Sequence, residues 1–265
     1  MNKKYLFYDN IVRGAGIGHT LACYNYGLNM ALEKGLEYLP CETTPGHNLG
    51  PIGMERLLNL PLREVERNTI LLEEPDAVEH IKYANDQIQT SKDFTLTRKM
   101  FREWYASGER SYNDMILRDS TDTANISMSI RRGDLTRAGP AHHMWARMRS
   151  NEWYVNALEN IISKYKITNY RLLVFSDASI DSTHDGSWKE RPGEFIDEFR
   201  NPVDINTVFK NHLNDFIYHP SNKTHERTAD HFHNIVSSDY FIGSISGFSE
   251  IIRDIYYDGV CVLPD

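Results

Sequence analysis

Short apolar runs alternate with stretches of helical periodicity along most of the chain. The runs that predict strands cover residues 5–8, 36–39, 69–72, 126–130, 171–177, 216–218, 240–242 and 260–263. The helical stretches predict helices over residues 20–34, 54–60, 77–89, 96–106, 152–165, 226–237 and 248–256. Because strands and helices that alternate in this way usually form parallel sheets covered by helices, the sequence predicts an α/β protein.

Residues 118–123 are polar and lack periodicity, which is typical of a boundary between domains. The sequence therefore predicts an N-terminal domain over residues 1–120 and a C-terminal domain over residues 121–265. Residues 41–53 and 179–206 are rich in loop-forming residues, and we expect little regular structure there.

The composition is that of an ordinary globular protein and excludes some functional classes. The chain has 265 residues, of which 40% are hydrophobic and 25% are charged, and its net charge is −8. This charge argues against a general nucleic-acid-binding protein, whose affinity comes mainly from Lys and Arg on phosphates. The three widely spaced cysteines fit neither a disulfide framework nor a zinc site. No apolar run approaches the roughly 18 residues of a membrane span, so we expect a cytoplasmic protein.

Two adjacent arginines follow the apolar run at residues 126–130. In an open α/β sheet the carboxyl ends of the strands frame the ligand crevice. Arg131 and Arg132 would offer forked donors there to a diphosphate, with Gly133 allowing close approach and Asp134 orienting one arginine. The alternative is a surface turn that ion pairs hold in place.

Three further segments place small or polar residues between a strand and a helix. Gly16, Gly18 and His19 lie in a glycine-rich turn before a helix that Thr20 would cap, where backbone N–H groups could bind an anion. The alternative is a tight turn that needs glycine only for its backbone angles. Ser176 and Asp177 end one predicted strand, and Ser246 and Ser249 follow another. Helix capping by Ser246, or by the Ser176-Asp177 pair, is the alternative for these residues.

The histidines raise the question of a metal site. His212, His219, His225, His231 and His233 lie close together in the sequence, but no HExxH or carboxylate-histidine motif accompanies them. Residues 231 and 233 would not share a helix face. The sequence therefore predicts no metal site, and a metal-dependent hydrolase is kept as an alternative.

In this order, the segments resemble a fucosyltransferase-like family of glycosyltransferases that make α1,2, α1,6 and protein O-fucose linkages. Such enzymes carry a His-x-Arg-Arg-x-Asp segment, then a strand ending in Ser/Thr-Asp, then a serine-rich segment. The matching residues here are 16–19, 130–134, 174–177 and 244–249. Ser129 stands where the family has its histidine, which leaves open a nucleotide sugar other than GDP-fucose.

The resemblance implies a GT-B-like fold of two facing Rossmann-like domains, with the N-terminal domain on the acceptor side. Arg131 would contact the donor diphosphate, while Arg132 and Asp134 would shape the turn. The other donor-binding residues would be Gly16, Gly18, His19, Ser176, Asp177, Ser246 and Ser249. The reaction would be a metal-independent transfer with inversion, and no cofactor besides the nucleotide sugar is expected.

The sequence leaves the identity of the general base open. His142 and His143 follow the arginine turn, and a histidine pKa suits base catalysis near neutral pH. Asp9, at the end of the first predicted strand, is a further candidate. The expected function is transfer of L-fucose from GDP-fucose to a glycan or glycoconjugate acceptor, and the other alternative is a non-catalytic nucleotide- or sugar-binding module.

Overall fold

The protein divides into two compact units. The computed structural model describes residues 3–9, 17–40, 57–60, 64–82, 93–108, 122–132, 146–177, 180–182, 188–190, 195–199, 201–220 and 226–264. The first unit comprises Met1–Ser111 with Asp254–Tyr256, and the second comprises Tyr112–Arg253 with Tyr257–Asp265. The domain boundary predicted between residues 120 and 121 falls within residues 109–121, which lie outside the described residues.

The first unit contains a parallel sheet of three strands, β1 (Tyr5–Asp9), β2 (Glu37–Pro40) and β3 (Val78–Lys82), in the order β2-β1-β3. Its described helices are α1 (Ile17–Lys34), α2 (Glu64–Glu73) and α3 (Arg98–Ser107), with a short 3₁₀ turn at Pro75–Ala77. Gly35 ends α1 with a φ of +65°, as its position in the sequence predicts.

Three local predictions for this unit were wrong. The apolar run at residues 69–72 lies inside α2 instead of forming a strand, because its charged neighbours continue the helical period. The helix predicted over residues 77–89 begins instead as β3, which pairs with β1 along its full length. Thr20 does not cap α1, since that helix already begins at Ile17.

The second unit contains a parallel sheet of five strands in the order β10-β5-β4-β11-β12. These strands are β4 (Ala124–Ile130), β5 (Tyr170–Ser176), β10 (Phe216–Pro220), β11 (Tyr240–Ile242) and β12 (Val260–Val262). Successive strands first add on one side of β4, and β11 then adds on its other side. Strand order therefore reverses between β4 and β11, which makes this pair the topological switch point of the sheet.

Two long helices pack on opposite faces of this sheet. Helix α4 (Asn151–Tyr165) covers the face that carries Ile126, Met128 and Ile130, and Tyr154 and Leu158 join the same apolar core. Helix α6 (Glu226–Val236) lies against the other face, where the His231 ring meets the Phe175 ring. Side chains alternate between the two faces along each strand, so both faces of β4 and β5 are buried.

The region predicted as loop, residues 179–206, carries more regular structure than expected. It holds two antiparallel hairpins, β6 (Ile180–Ser182) with β7 (Trp188–Glu190) and β8 (Phe195–Ile196) with β9 (Pro202–Val203). The short helix α5 (Ile205–Val208) follows, with Asp204 as its cap. Strands of two or three residues are too short to leave a periodic signal in the sequence.

Helix α7 (Gly247–Ile251) follows β11 and continues as a π-helical turn over Ile252–Tyr256 before β12. The predicted α/β class is confirmed, since each unit is built on a parallel sheet with helices. Among the described residues, no helix is both long enough and apolar enough to cross a membrane.

Candidate functional site

The strands of the second sheet run parallel, so their carboxyl ends share one edge, which we call the carboxyl edge. Arg131 and Arg132 follow β4 at this edge, Ser176 ends β5 and Asp177 comes next, and Ser244 follows β11. Ligands of open α/β sheets bind at this edge, where the strand order reverses. Arg131 and Arg132, which we call the arginine turn, and Ser244 flank the switch point.

The guanidinium of Arg132 lies inside the protein, at 0% exposure. Its Nη2 donates to Asn151 Oδ1 at 2.7 Å, its Nη1 to the Arg131 carbonyl at 3.1 Å, and its Nε to the Ile196 carbonyl at 3.3 Å. These acceptors stabilise the buried guanidinium, because a buried N–H without an acceptor costs free energy. Arg132 therefore connects the end of β4 to the start of α4 and to β8.

A carboxylate and two aromatic rings near the guanidinium stabilise the positive charge of Arg132. Its Nη2 lies 3.9 Å from Glu198 Oε2, and its guanidinium carbon lies 5.6 Å from the centre of the Tyr154 ring and 5.9 Å from that of Phe195. Burial lowers the pKa of Arg132, and Tyr154, Glu198 and Asp177 oppose that shift. Burial also raises the pKa of Tyr154 to about 12, so its hydroxyl is neutral at pH 7.

The backbone of the arginine turn is held from several sides. The Arg132 N–H donates to Asp177 Oδ1 at 2.5 Å, and the Tyr154 hydroxyl bonds to the backbone of Arg131. The Arg131 carbonyl also accepts from Nη1 of Arg132. Arg131 itself is half-buried at the carboxyl edge. The structure therefore gives the two arginines different surroundings, with Arg132 in the interior and Arg131 at the edge.

Three buried serine hydroxyls form a cluster beside the turn, on the β11 side of the switch point. Ser246 Oγ accepts from the Ser249 N–H at 3.1 Å, which confirms the capping alternative for Ser246. Ser246 also donates to Ser249 Oγ at 3.1 Å, and Ser244 donates to Ser246 Oγ at 3.2 Å. The Ser244 N–H donates in turn to Ser249 Oγ at 3.1 Å. We call Ser244, Ser246 and Ser249 the serine cluster.

Two of the predicted site residues of the first unit, Gly18 and His19, lie at the start of α1. Gly18 is buried in its first turn, and His19 is half-buried with Nε2 3.6 Å from Cys23 Sγ. Burial lowers the pKa of His19, so the ring is neutral at pH 7. Gly16, Asp134, His142 and His143 lie outside the described residues, as does the side chain of Asp9, and their roles stay predictions.

One side-chain pair at the carboxyl edge was missed from the sequence. His219, near the end of β10, places Nδ1 3.0 Å from Nε2 of His231 on α6. The His231 ring lies 4.6 Å from that of Phe175. The sequence signal for this pair was a histidine directly after the strand predicted over residues 216–218 and a second histidine in the helix predicted over residues 226–237. Within the described ranges, no three His, Cys, Asp or Glu side chains are grouped to hold a metal ion.

No protein-family model matches the chain, and no curated protein matches it. Among solved structures it is similar to the iron-containing dodecameric glycosyltransferase TibC from enterotoxigenic E. coli H10407, at 11% identity and a TM-score of 0.43. That alignment covers 99% of this chain but only 58% of the TibC chain. A TibC complex with ADP-D-beta-D-heptose is matched at 10% identity and a TM-score of 0.39, over 99% of this chain and 60% of that one. POFUT1 in complex with GDP-fucose is matched at 13% identity and a TM-score of 0.35, over 99% of this chain and 74% of that one.

Proposed function

We propose that the protein is a glycosyltransferase that transfers a sugar from a nucleotide sugar, GDP-fucose, to a glycan or glycoconjugate acceptor. The transfer proceeds with inversion and without a metal ion. The observation that carries this proposal is the arginine turn at the switch point of a parallel sheet, where Arg132 and Asp177 fix the backbone that presents Arg131.

The chemistry of the leaving group explains why such a turn is useful. A sugar that leaves its nucleotide passes through an oxocarbenium-like state while negative charge grows on the departing phosphate. A guanidinium whose backbone is already fixed can bind that charge without reorganising, and its fork matches two phosphate oxygens. In this proposal Arg131 binds the diphosphate, and the serine cluster lies on the opposite side of the same crevice.

The choice of GDP-fucose rests on the sequence resemblance of residues 130–134, 174–177 and 244–249 to fucosyltransferase-like enzymes. The family histidine that Ser129 replaces is associated with binding the nucleobase of the donor, so nucleotides with other nucleobases should also be tested.

His142 or His143 would act as the general base and accept the proton of the attacking hydroxyl.

A thermal-shift panel tests the proposal directly. The ligands are GDP, GDP-fucose, ADP, ADP-heptose, UDP and CMP, each with and without EDTA. A ligand at about 100 times its Kd stabilises the protein by roughly 2.7 kcal/mol, which is a readable shift. We expect a shift that is selective for the guanine nucleotides and unaffected by EDTA.

Two arginine variants make this test specific. Arg131→Ala should abolish the shift, and Arg131→Lys should nearly do so, because lysine cannot form the fork. The matched control is Arg171→Lys at the amino end of β5, where the side chain pairs with Asp215 at 3.0 Å. A shift that survives in Arg131→Ala, or no shift with any nucleotide, would contradict the proposal. Nucleotide binding without turnover on any acceptor would favour a non-catalytic module.

A further inference from the structure

A groove of about 610 Å³ lies between helix α4 and the edge strand β12 of the second unit. Ala157 and Ile161 contribute apolar atoms to its lining, and Asn156 and Asn160 contribute amides. Val260–Val262 and the two residues after them line the other side. This volume is within the range of small-molecule sites.

The groove begins close to the carboxyl edge. Trp153, at this end, packs edge-on against Tyr154, whose ring lies beside Arg132. Leu263 also lines this end, and it is so close to Gly243 that a Cβ there would meet its side chain. The groove therefore starts next to the arginine turn and the residue that precedes the serine cluster.

The groove continues along the strand direction to the opposite edge of the sheet. Tyr165 lines this far end, and its ring packs against that of Tyr240, the first residue of β11. Trp153 and Tyr165 are twelve residues apart on one helix, which corresponds to about 18 Å. A ligand that fills the groove would be elongated and would have one end at the carboxyl edge.

The lining suits a neutral polyhydroxylated ligand. Asn156 and Asn160 are exposed one helical turn apart, and neither side-chain amide has a hydrogen-bond partner among the described residues. An amide both donates and accepts, as a hydroxyl does. Trp153 and Tyr165 place aromatic surface at the two ends, and Lys164, which lies 5.2 Å from the Tyr165 ring, is the charged residue of the described lining. Sugar rings combine apolar C–H faces with a rim of hydroxyls, which matches aromatic surface next to amides.

We propose that this groove binds the non-reacting part of an oligosaccharide acceptor, so that its reacting end lies at the carboxyl edge. The inference rests on the proposed function for the identity of the site at that edge. It assigns acceptor binding to α4 and β12 of the second unit, whereas the sequence resemblance assigned the acceptor to the N-terminal domain.

A peptide added as a strand to the edge of β12 is the competing occupant. Strand addition needs a ladder of backbone N–H and C=O groups. β12 is only Val260–Val262, and Pro264 follows shortly after it without an N–H. The backbone therefore offers a short ladder, while the amides of α4 face the same groove. The oligosaccharide is the better match.

The test uses ¹H–¹⁵N spectra of the full chain, in which the side-chain amides of Asn156 and Asn160 report on the groove. The probes are chitooligosaccharides of one to four units, cellotetraose, xylotetraose and a four-residue polyvaline-type peptide, at millimolar concentrations. We expect at least one tetrasaccharide to shift both amides. Its Kd should be at least tenfold tighter than that of the monosaccharide, because a groove of about 18 Å accommodates several sugar rings.

Two double variants make the assignment specific. Binding to the variants is followed by the backbone amides of α4 and β12, which every variant keeps. Asn156→Ala/Asn160→Ala should weaken tetrasaccharide binding about tenfold, since two hydrogen-bonding groups are lost. The control Glu159→Ala/Ser163→Ala changes two exposed residues at the same spacing on α4 outside the groove lining, and should not change the Kd. Both variants should keep the nucleotide-induced thermal shift.

The outcomes separate this inference from the proposed function. Amide shifts with a tetrasaccharide support the groove even if no nucleotide binds. A nucleotide-induced thermal shift without any amide shift overturns the groove and leaves the transferase proposal standing. The groove assignment is also overturned if only the peptide shifts the two side-chain amides, or if both double variants weaken tetrasaccharide binding equally.

Discussion

Substitution of the two adjacent arginines should affect different properties: Arg132 should matter for stability and Arg131 for nucleotide binding. Arg132→Ala removes a fully buried guanidinium and leaves Asn151 and Glu198 without their cationic partner. Loss of one member of a buried ion pair typically costs about 3–5 kcal/mol, and a hydrogen bond to a charged group about 1.5–3 kcal/mol. These contributions overlap, so we expect the free energy of unfolding of the second unit to fall by about 4 kcal/mol.

Arg131→Ala should leave stability within about 1 kcal/mol, because its side chain is only half-buried, while it abolishes the nucleotide-induced shift. Arg132→Lys keeps the charge but cannot reach three separate acceptors, and it should recover about half of the loss. Arg171→Ala is the reference for a partly buried ion pair, because the Arg171 and Asp215 side chains are 13% and 21% exposed. It should cost about 1 kcal/mol.

The assay is hydrogen exchange of the β4 and β5 amides, which reports the opening of this unit by itself and does not require the whole chain to unfold in one step. A change of about 4 kcal/mol corresponds to roughly a thousandfold faster exchange. If the free energy of opening measured by exchange in Arg132→Ala lies within about 1 kcal/mol of the wild-type value, the stabilising role assigned to the buried guanidinium is refuted. Equal destabilisation by Arg131→Ala would refute the division of roles between the two arginines.

Variants at three further positions test other parts of the structure. Ser246→Ala removes the buried cap of α7 and should lower stability by about 1–2 kcal/mol in urea unfolding, whereas Ser246→Asp should retain part of the cap. Gly35→Ala should cost about 1 kcal/mol through its φ of +65°, since no atom lies within 4 Å of the added Cβ, and Gly35→Asn should cost less. Because burial lowers the pKa of His19 below 6.5, the unfolded chain binds this proton more readily and stability should fall as the pH drops below about 6.5. A ring titration midpoint below 6.5 by NMR, and a flatter pH dependence in His19→Gln, would confirm this.

The elements around the site were predictable because their signals are strong. β4 was predicted over residues 126–130 and found over Ala124–Ile130, and α4 was predicted over 152–165 and found over Asn151–Tyr165. A buried parallel strand appears in the sequence as an apolar run, and a long amphipathic helix repeats its period several times. β3 was missed because its strand conformation depends on pairing with β1, which lies about seventy residues earlier in the chain.

The predicted residues of the second unit that the structure describes lie at the carboxyl edge, but their surroundings depend on the fold. The resemblance suggested that Arg132 shapes the turn, yet sequence alone could not show which groups would accept from it. Asn151 and Ile196 lie far from it in the chain and come together only when α4 and β8 pack against β4. The His219–His231 pair depends in the same way on α6 returning to the sheet.

The carboxyl edge of the second sheet contains the kind of polar interior that a purely structural core would avoid. A buried arginine is expensive to desolvate, and well-packed apolar residues can often replace such groups at no loss of stability. Here the guanidinium and the serine cluster occupy opposite sides of the switch point, and the serine hydroxyls bond chiefly to one another. Natural proteins break local rules of this type mainly where a site has to be rigid before its ligand arrives. Under the proposed function, the arginine turn and the serine cluster should therefore change little when a diphosphate binds, and differences between nucleotide sugars should come from contacts to the nucleobase and the sugar.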